Sequence, residues 1–310
     1  MEPWKKKHIL GVKDLDRSEI ETLLSLAESF KSISKRDVKK VPALRGKTIV
    51  NLFFENSTRT RTSFELAAKR LSADVINFSA SGSSLAKGET IVDTIKTLEA
   101  YHPDILVVRI ASSASLPILS KYTKASIVNA GDGKNEHPTQ ALLDMFTVKE
   151  IKGTLEKLNV LVVGDVLHSR VARSNIFGFA KFGAKVTVCA PPTLIPYGFD
   201  ETNVKVTYDF DGAIQEADVV IMLRVQKERQ VSAFFPSVRE YMSKFALTPE
   251  RIDLAKKDCL ILHPSPVNWD VEICSSIKER VHPLILKQAE NGLAVRMAAL
   301  YLVGTKKRQL

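Results

Sequence analysis

The sequence predicts an α/β fold: two doubly wound domains with mostly parallel sheets, joined by interdomain helices. Three observations predict it. Short runs of Val, Ile and Leu alternate with stretches of helical periodicity, the pattern of βαβ units. The alternation pauses over 149–157, where Gly153 sits, and then starts afresh at LNVLVVG. The chain has 310 residues, 45% of them apolar, enough for about two average domains with their own cores. The expected bounds are 1–149 for the first domain, with a C-terminal helix at 285–310 packing back on it, and 150–284 for the second.

The elements follow in order. Ile20, Leu23, Leu24 and Ala27 form an apolar stripe, so 16–30 reads as a helix that Asp16 or Ser18 can cap. KTIVNLFF at 47–54 reads as a buried strand. Phe64, Ala67, Ala68 and Leu71 place a helix over 62–71, and a short strand follows at 75–78. A helix over 89–100 precedes strands at 104–109 and 126–129. The segment 138–151 is a helix with Pro138 first, where a missing N–H costs nothing. In the second half, strands are expected at 158–164, 185–189, 218–223 and 259–262. Helices are expected at 170–182, 236–245, 249–256 and 284–303. Ligands of such folds bind at the carboxyl ends of strands, so the segments just after strands matter most.

Composition narrows the function. The net charge is +10. Much of it lies at the ends, in Lys5 to Lys7 and Lys306 to Arg308, and no aromatic-plus-basic module accompanies it. Small anions fit better than nucleic acid. Cys189, Cys259 and Cys274 are widely spaced, with no CxxC pair, so zinc and dithiol chemistry have no support. The low cysteine count and the lack of a long apolar run predict a cytoplasmic protein without a membrane segment.

The strongest local signal follows the first strand: Glu55-Asn56-Ser57-Thr58-Arg59-Thr60-Arg61-Thr62 running into a helix. Helix N-termini offer free N–H groups and a positive dipole end to phosphate. Hydroxyls add hydrogen bonds, and Arg59 can grip phosphate oxygens bidentately. The bland alternative is a polar turn with Ser57 or Thr58 as a cap, which needs one such residue rather than several. The Walker loop is excluded, because its glycines and its Gly-Lys-Ser/Thr end are missing.

FFENSTRTRTSFELAAKRL resembles the carbamoyl-phosphate signature of the transcarbamoylases. SLAKGETIVDTIKTLEA, NAGDGKNEHPTQALLDMFT, MLRVQKER, HPSPVNWDVE and NGLAVRMAALYL continue the likeness in the same order over nearly the whole chain, and they resemble the aspartate branch of that family. The resemblance implies transfer of the carbamoyl group of carbamoyl phosphate to the amine of aspartate, an early step of pyrimidine synthesis. It implies no metal and no organic cofactor, since the protein's part is orientation and electrostatic stabilisation. The first domain would then bind carbamoyl phosphate and the second aspartate.

By the same resemblance, Ser57, Thr58, Arg59 and Thr60 hold the phosphate. Thr60, Arg109 and His137 point at the carbonyl oxygen, and Gln140 bonds the carbamoyl amide. Arg170 and Arg224 face the aspartate carboxylates, joined by Gln226, Pro264 and Ser265. Ser83 and Lys87 reach a neighbouring subunit's site, which makes a homotrimer the smallest active unit. Glu55 and Arg229 act in domain closure, Glu55 pairing with Arg170 and Arg229. A regulatory chain or a dihydroorotase partner is left open. Taken without the family, Arg109 has a lesser second reading as half of a structural ion pair, and Arg170 one as an exposed helix residue. Trp269 stands where many relatives carry a basic residue, which puts the geometry of 264–268 in question.

Two other readings compete. Ornithine, or another amine, would keep the fold and change the acceptor, but Arg224 and Arg229 repel a cationic side chain. A nicotinamide oxidoreductase would need GxGxxG, and Gly164 stands alone.

Overall fold

The structure, a computed structural model, describes residues 4–79, 89–198, 204–225 and 237–305. It divides into two compact units, 1–146 with 290–310, and 147–289.

The first unit opens with α1 (Arg17–Ile33), started by a capping box of Asp16 and Glu19 and burying Ile20, Leu23, Leu24, Ala27 and Phe30. The strand β1 (Thr48–Phe53) follows, then α2 (Thr58–Arg70), β2 (Asp74–Ser79), α3 (Ile91–Glu99), β3 (Ile105–Ile110), the short α4 (Leu116–Leu119) and β4 (Ser126–Asp132). The helix α5 (Pro138–Lys152) begins in this unit. All pairings are parallel, in the order β2-β1-β3-β4. Such strands are buried on both faces, which is why they read as continuous apolar runs. The free edge of β4 is covered by residues 8–10. Ile9 donates to the Ile127 carbonyl at 2.8 Å, and Asn129 donates back to the Ile9 carbonyl at 2.9 Å.

The second unit holds β5 (Asn159–Val163), α6 (Arg170–Ala180), β6 (Lys185–Cys189), β7 (Lys205–Thr207), α7 (Phe210–Glu216), β8 (Val219–Met222), α8 (Val238–Phe245), α9 (Pro249–Leu254) and β9 (Leu260–Leu262). Its sheet is again parallel, ordered β7-β6-β5-β8-β9. The last helix, α10 (Lys278–Gly304), begins here and ends in the first unit.

Three differences from the sequence expectations have physical causes. The helix α2 starts at Thr58 rather than at 62. Its first turn is polar, so apolar periodicity becomes visible only at Phe64. The helix α10 starts at Lys278, six residues before 284, because Pro283 is accommodated within its second turn. The elements α4, β7 and α7 were not expected; they are only 4, 3 and 7 residues long, too short for periodicity to register.

The strand orders locate the crevices. In the first sheet the chain leaves β1 for β2 on one side and β3 on the other, so the order reverses between β1 and β3. In the second it reverses between β5 and β8. Ligands of open α/β sheets bind outside the carboxyl ends of strands at such switch points.

Candidate functional site

The first unit's switch point carries the predicted phosphate residues. Phe53 and Arg109 are register partners at the ends of β1 and β3, and the Phe54 N–H donates to the Arg109 carbonyl at 2.8 Å. Three residues on, Ser57 takes the N-cap position of α2 in extended conformation, and its side chain makes no capping hydrogen bond. The first amide to bond back to the cap residue is that of Arg61, to the Ser57 carbonyl at 3.3 Å. Thr58 and Arg59 are exposed, Ser57 is half-buried and Thr60 is buried. The cap reading thus holds for Ser57's position in the helix but not for its hydroxyl. A helix start with hydroxyls and a guanidinium around its first turn is suited to phosphate.

Arg109 is only 15% exposed in its side chain. Its Nε donates to Glu55 Oε2 at 3.2 Å and its Nη1 to the Ala130 carbonyl at 3.4 Å. The ion-pair reading of Arg109 holds, and the residue also stands at a strand end, where ligands of such folds bind. For Glu55 the partner among these contacts is Arg109.

His137 is buried between β4 and α5, and its carbonyl accepts from the amides of Gln140 and Ala141 at 3.0 and 3.3 Å. The turn before it is built on two acidic residues that sequence reasoning passed over. Asp132 is 1% exposed and accepts from the Ala114 and Glu136 amides and from the side chains of Asn129 and Asn135, all at 2.9–3.0 Å. Glu136 accepts from the Val12 amide at 2.7 Å and from Lys13 at 3.3 Å. Gly133 has φ +49°, and a Cβ there would lie 2.2 Å from Ser113 Oγ. The available signal was the polar density of NAGDGKNEHP, which carries more donors and acceptors than a loop requires.

In the second unit, Arg170 and Arg224 follow β5 and β8, the switch-point strands. Arg170 is the first residue of α6 and 5% exposed, so the exposed-helix alternative does not hold. The turn before it is held by hydrogen bonds. Asp165, fully buried, accepts from the His168 amide at 3.2 Å and from His168 Nδ1 at 2.7 Å. A carboxylate accepts only, so Nδ1 carries the proton. Ser169 caps α6 through the Ala172 amide at 3.1 Å. His168 and Ser169, given no role in the sequence reading, set the path of the chain into Arg170. Gly164, at φ +115°, lets the Tyr241 hydroxyl approach; a Cβ would meet it at 2.8 Å.

Pro264 and Ser265 lie on a turn after β9 that a buried pair supports. The Ser265 amide donates to His263 Nδ1 at 2.8 Å, so the neutral ring carries its proton on Nε2 and donates to Glu272 Oε1 at 3.2 Å. Glu272 Oε1 also accepts from the Asn268 amide at 2.7 Å. Trp269 is explained by packing. Its ring meets His282 edge-on at 6.2 Å, and Lys278 Nζ lies 5.6 Å from its centroid. Ser83, Lys87, Gln226 and Arg229 lie outside the described residues.

Burial removes two cysteines from the list of nucleophiles. It pushes the Cys189 thiol up to about 12 and Cys259 up to about 11.

Comparison with known proteins gives the family. Residues 7–150 match the family model described as the aspartate/ornithine carbamoyltransferase carbamoyl-P binding domain. Residues 156–303 match that of the Asp/Orn binding domain. The aspartate carbamoyltransferase catalytic subunit of Syntrophus aciditrophicus is 55% identical over 300 residues, spanning 97% of this chain and 98% of its own. The chain belongs to the aspartate carbamoyltransferase family. A Trypanosoma cruzi aspartate transcarbamoylase, solved in complex with carbamoyl phosphate and aspartate, superposes with a TM-score of 0.86 at 30% identity, over 96% of this chain and 97% of that one. The catalytic subunit of M. Jannaschii aspartate transcarbamoylase gives 0.81 at 33% identity, over 96% and 97%. The family is one of carbamoyl-transferring enzymes, and the ornithine alternative is not favoured. No helix among the described residues is long and apolar enough to cross a membrane.

Proposed function

We propose that this chain transfers the carbamoyl group of carbamoyl phosphate to the amine of L-aspartate, giving N-carbamoyl-L-aspartate and phosphate for pyrimidine synthesis in the cytoplasm. The observation that carries the reading is the first unit's switch point. There a helix N-terminus ringed by Ser57, Thr58, Arg59 and Thr60 follows one central strand, and Arg109 ends the next. The unprotonated amine attacks the carbamoyl carbon. Negative charge grows on the carbonyl oxygen, where Thr60, Arg109 and His137 stabilise it. Phosphate leaves from the α2 N-terminus and can take the amine proton. Arg170 and Arg224 receive the two carboxylates of aspartate, with Gln226, Pro264 and Ser265 beside them. Lys87 and Ser83 complete a neighbouring site in a homotrimer, and Glu55 and Arg229 respond to substrate binding.

The test offers purified protein carbamoyl phosphate with aspartate in one reaction and with ornithine in another. Ureido product from aspartate alone supports the reading; product from ornithine alone overturns the assignment of Arg170 and Arg224. Mixing inactive Lys87→Ala and Arg59→Ala subunits should restore part of the activity, and none after verified exchange removes the shared site.

A further inference from the structure

The side chain of Gln140 is an amide, and an amide can be turned end for end with no change in shape. Its neighbours decide which end faces the substrate. Asp144 lies one turn further along α5, and Gln140 Nε2 donates to Asp144 Oδ1 at 3.0 Å in a buried contact. An ionised carboxylate has no hydrogen to offer, so the NH2 end of Gln140 is held toward it. The carbonyl oxygen Oε1 is then turned away from Asp144.

A carboxylate as buried as Asp144, which is 0% exposed, stays ionised only beside a cation. The charge of Asp144 acts on Arg296 of α10. Burial lowers its guanidinium to about 10, and the charge of Asp144 pulls it back upward. Arg296 is itself fixed. Its Nη1 donates to Ser63 Oγ at 2.8 Å, and its guanidinium carbon lies 5.3 Å from the centroid of the Phe64 ring. The place is kept open by Gly292, where a Cβ would come within 2.7 Å of Nη1.

Given the reading of this unit as a carbamoyl-phosphate site, we propose that Asp144 is a positioning residue for carbamoyl selection. It holds Gln140 so that its carbonyl oxygen, and not its nitrogen, meets the substrate, which selects an NH2 donor over a methyl group of the same size. Acetyl phosphate, with a methyl group where carbamoyl phosphate has its amide nitrogen, would leave that oxygen without a hydrogen.

Affinities of the unaltered protein for carbamoyl phosphate, acetyl phosphate and inorganic phosphate come first. Acetyl phosphate should bind on the order of tenfold more weakly than carbamoyl phosphate, the factor attached to one buried hydrogen bond. Equal binding overturns the inference whether or not any variant folds. In Asp144→Leu, no acceptor remains to hold the NH2 end of Gln140, and the side chain is free to turn over. The KM for carbamoyl phosphate should rise about tenfold, with affinities for acetyl phosphate and inorganic phosphate unchanged. Because that variant strands a buried cation, the double variant Asp144→Leu with Arg296→Met repeats the test with both charges gone. The same loss of discrimination is expected. Undiminished discrimination in a folded variant, or parallel weakening of all three ligands, overturns the inference. No turnover of carbamoyl phosphate with aspartate by the unaltered protein removes the functional reading and this inference together; turnover with unchanged selectivity removes the inference alone.

Discussion

Replacing Glu136 by Ala tests how the turn before His137 is held. Glu136 is 4% exposed, and its Oε2 is the acceptor for the Val12 amide at 2.7 Å. Val12 is 0% exposed, so no solvent stands ready to replace that acceptor. The second bond, to Lys13 at 3.3 Å, is long, and Lys13 is exposed, so water takes it over at little cost. Stranding one buried N–H from a charged acceptor costs about 2 kcal/mol. The cost falls on the attachment of residues 8–13 to β4 and α5, so it lowers the local opening free energy of that segment. Two kcal/mol corresponds to about a 30-fold faster amide exchange. Hydrogen exchange resolved to the segment 8–13 reads this directly, with β5 and β6 as internal references that should not change. Turnover should fall as well, because His137 follows Glu136 in the chain. If the Val12 amide keeps its protection within about threefold in a folded variant, Glu136 is not the strap described here.

Gly133→Ala should unseat the same turn, because φ is +49° and the new Cβ would lie 2.5 Å from the Ala111 carbonyl oxygen; a melting temperature and turnover equal to those of the unaltered protein would contradict this. Asp218 is pushed up by burial, but the Asn159 amide and Lys256 outweigh this and hold it below the usual carboxylate range. Its contribution is therefore present above the unfolded carboxylate pKa and is lost as pH falls through the folded one. Asp218→Asn should then lower the urea midpoint at pH 7 and converge with the unaltered protein as the pH falls below the usual carboxylate range; a pH-independent difference would refute the assignment. Cys189 and Cys259 should resist alkylation at pH 8 in the native state and react on unfolding; rapid native labelling of either would show that the burial behind their raised pKa is wrong.

The sequence by itself determined the layout. The strands of both sheets are buried on two faces, so runs such as TIVNLF and NVLVV were visible without partners. The pause over 149–157 pointed to two units, which divide between Phe146 and Thr147, and chemical density pointed to Ser57–Thr60, while the family resemblance named His137 and Arg170 as candidates. Tertiary structure decided what one-dimensional patterns do not encode. Strand order placed Arg109 beside the β1 exit and Arg224 beside the β5 exit, since a switch point is a property of neighbours across a sheet. It also recruited supports far apart in the chain: Glu136 for Val12 and Arg296 for Ser63. A buried polar group needs a partner, and the fold, not the spacing, chooses which one it meets. The same holds for Gln140. The sequence named it for the substrate's amide, but only the position of Asp144 in the buried core fixes which end of its side chain is turned outward.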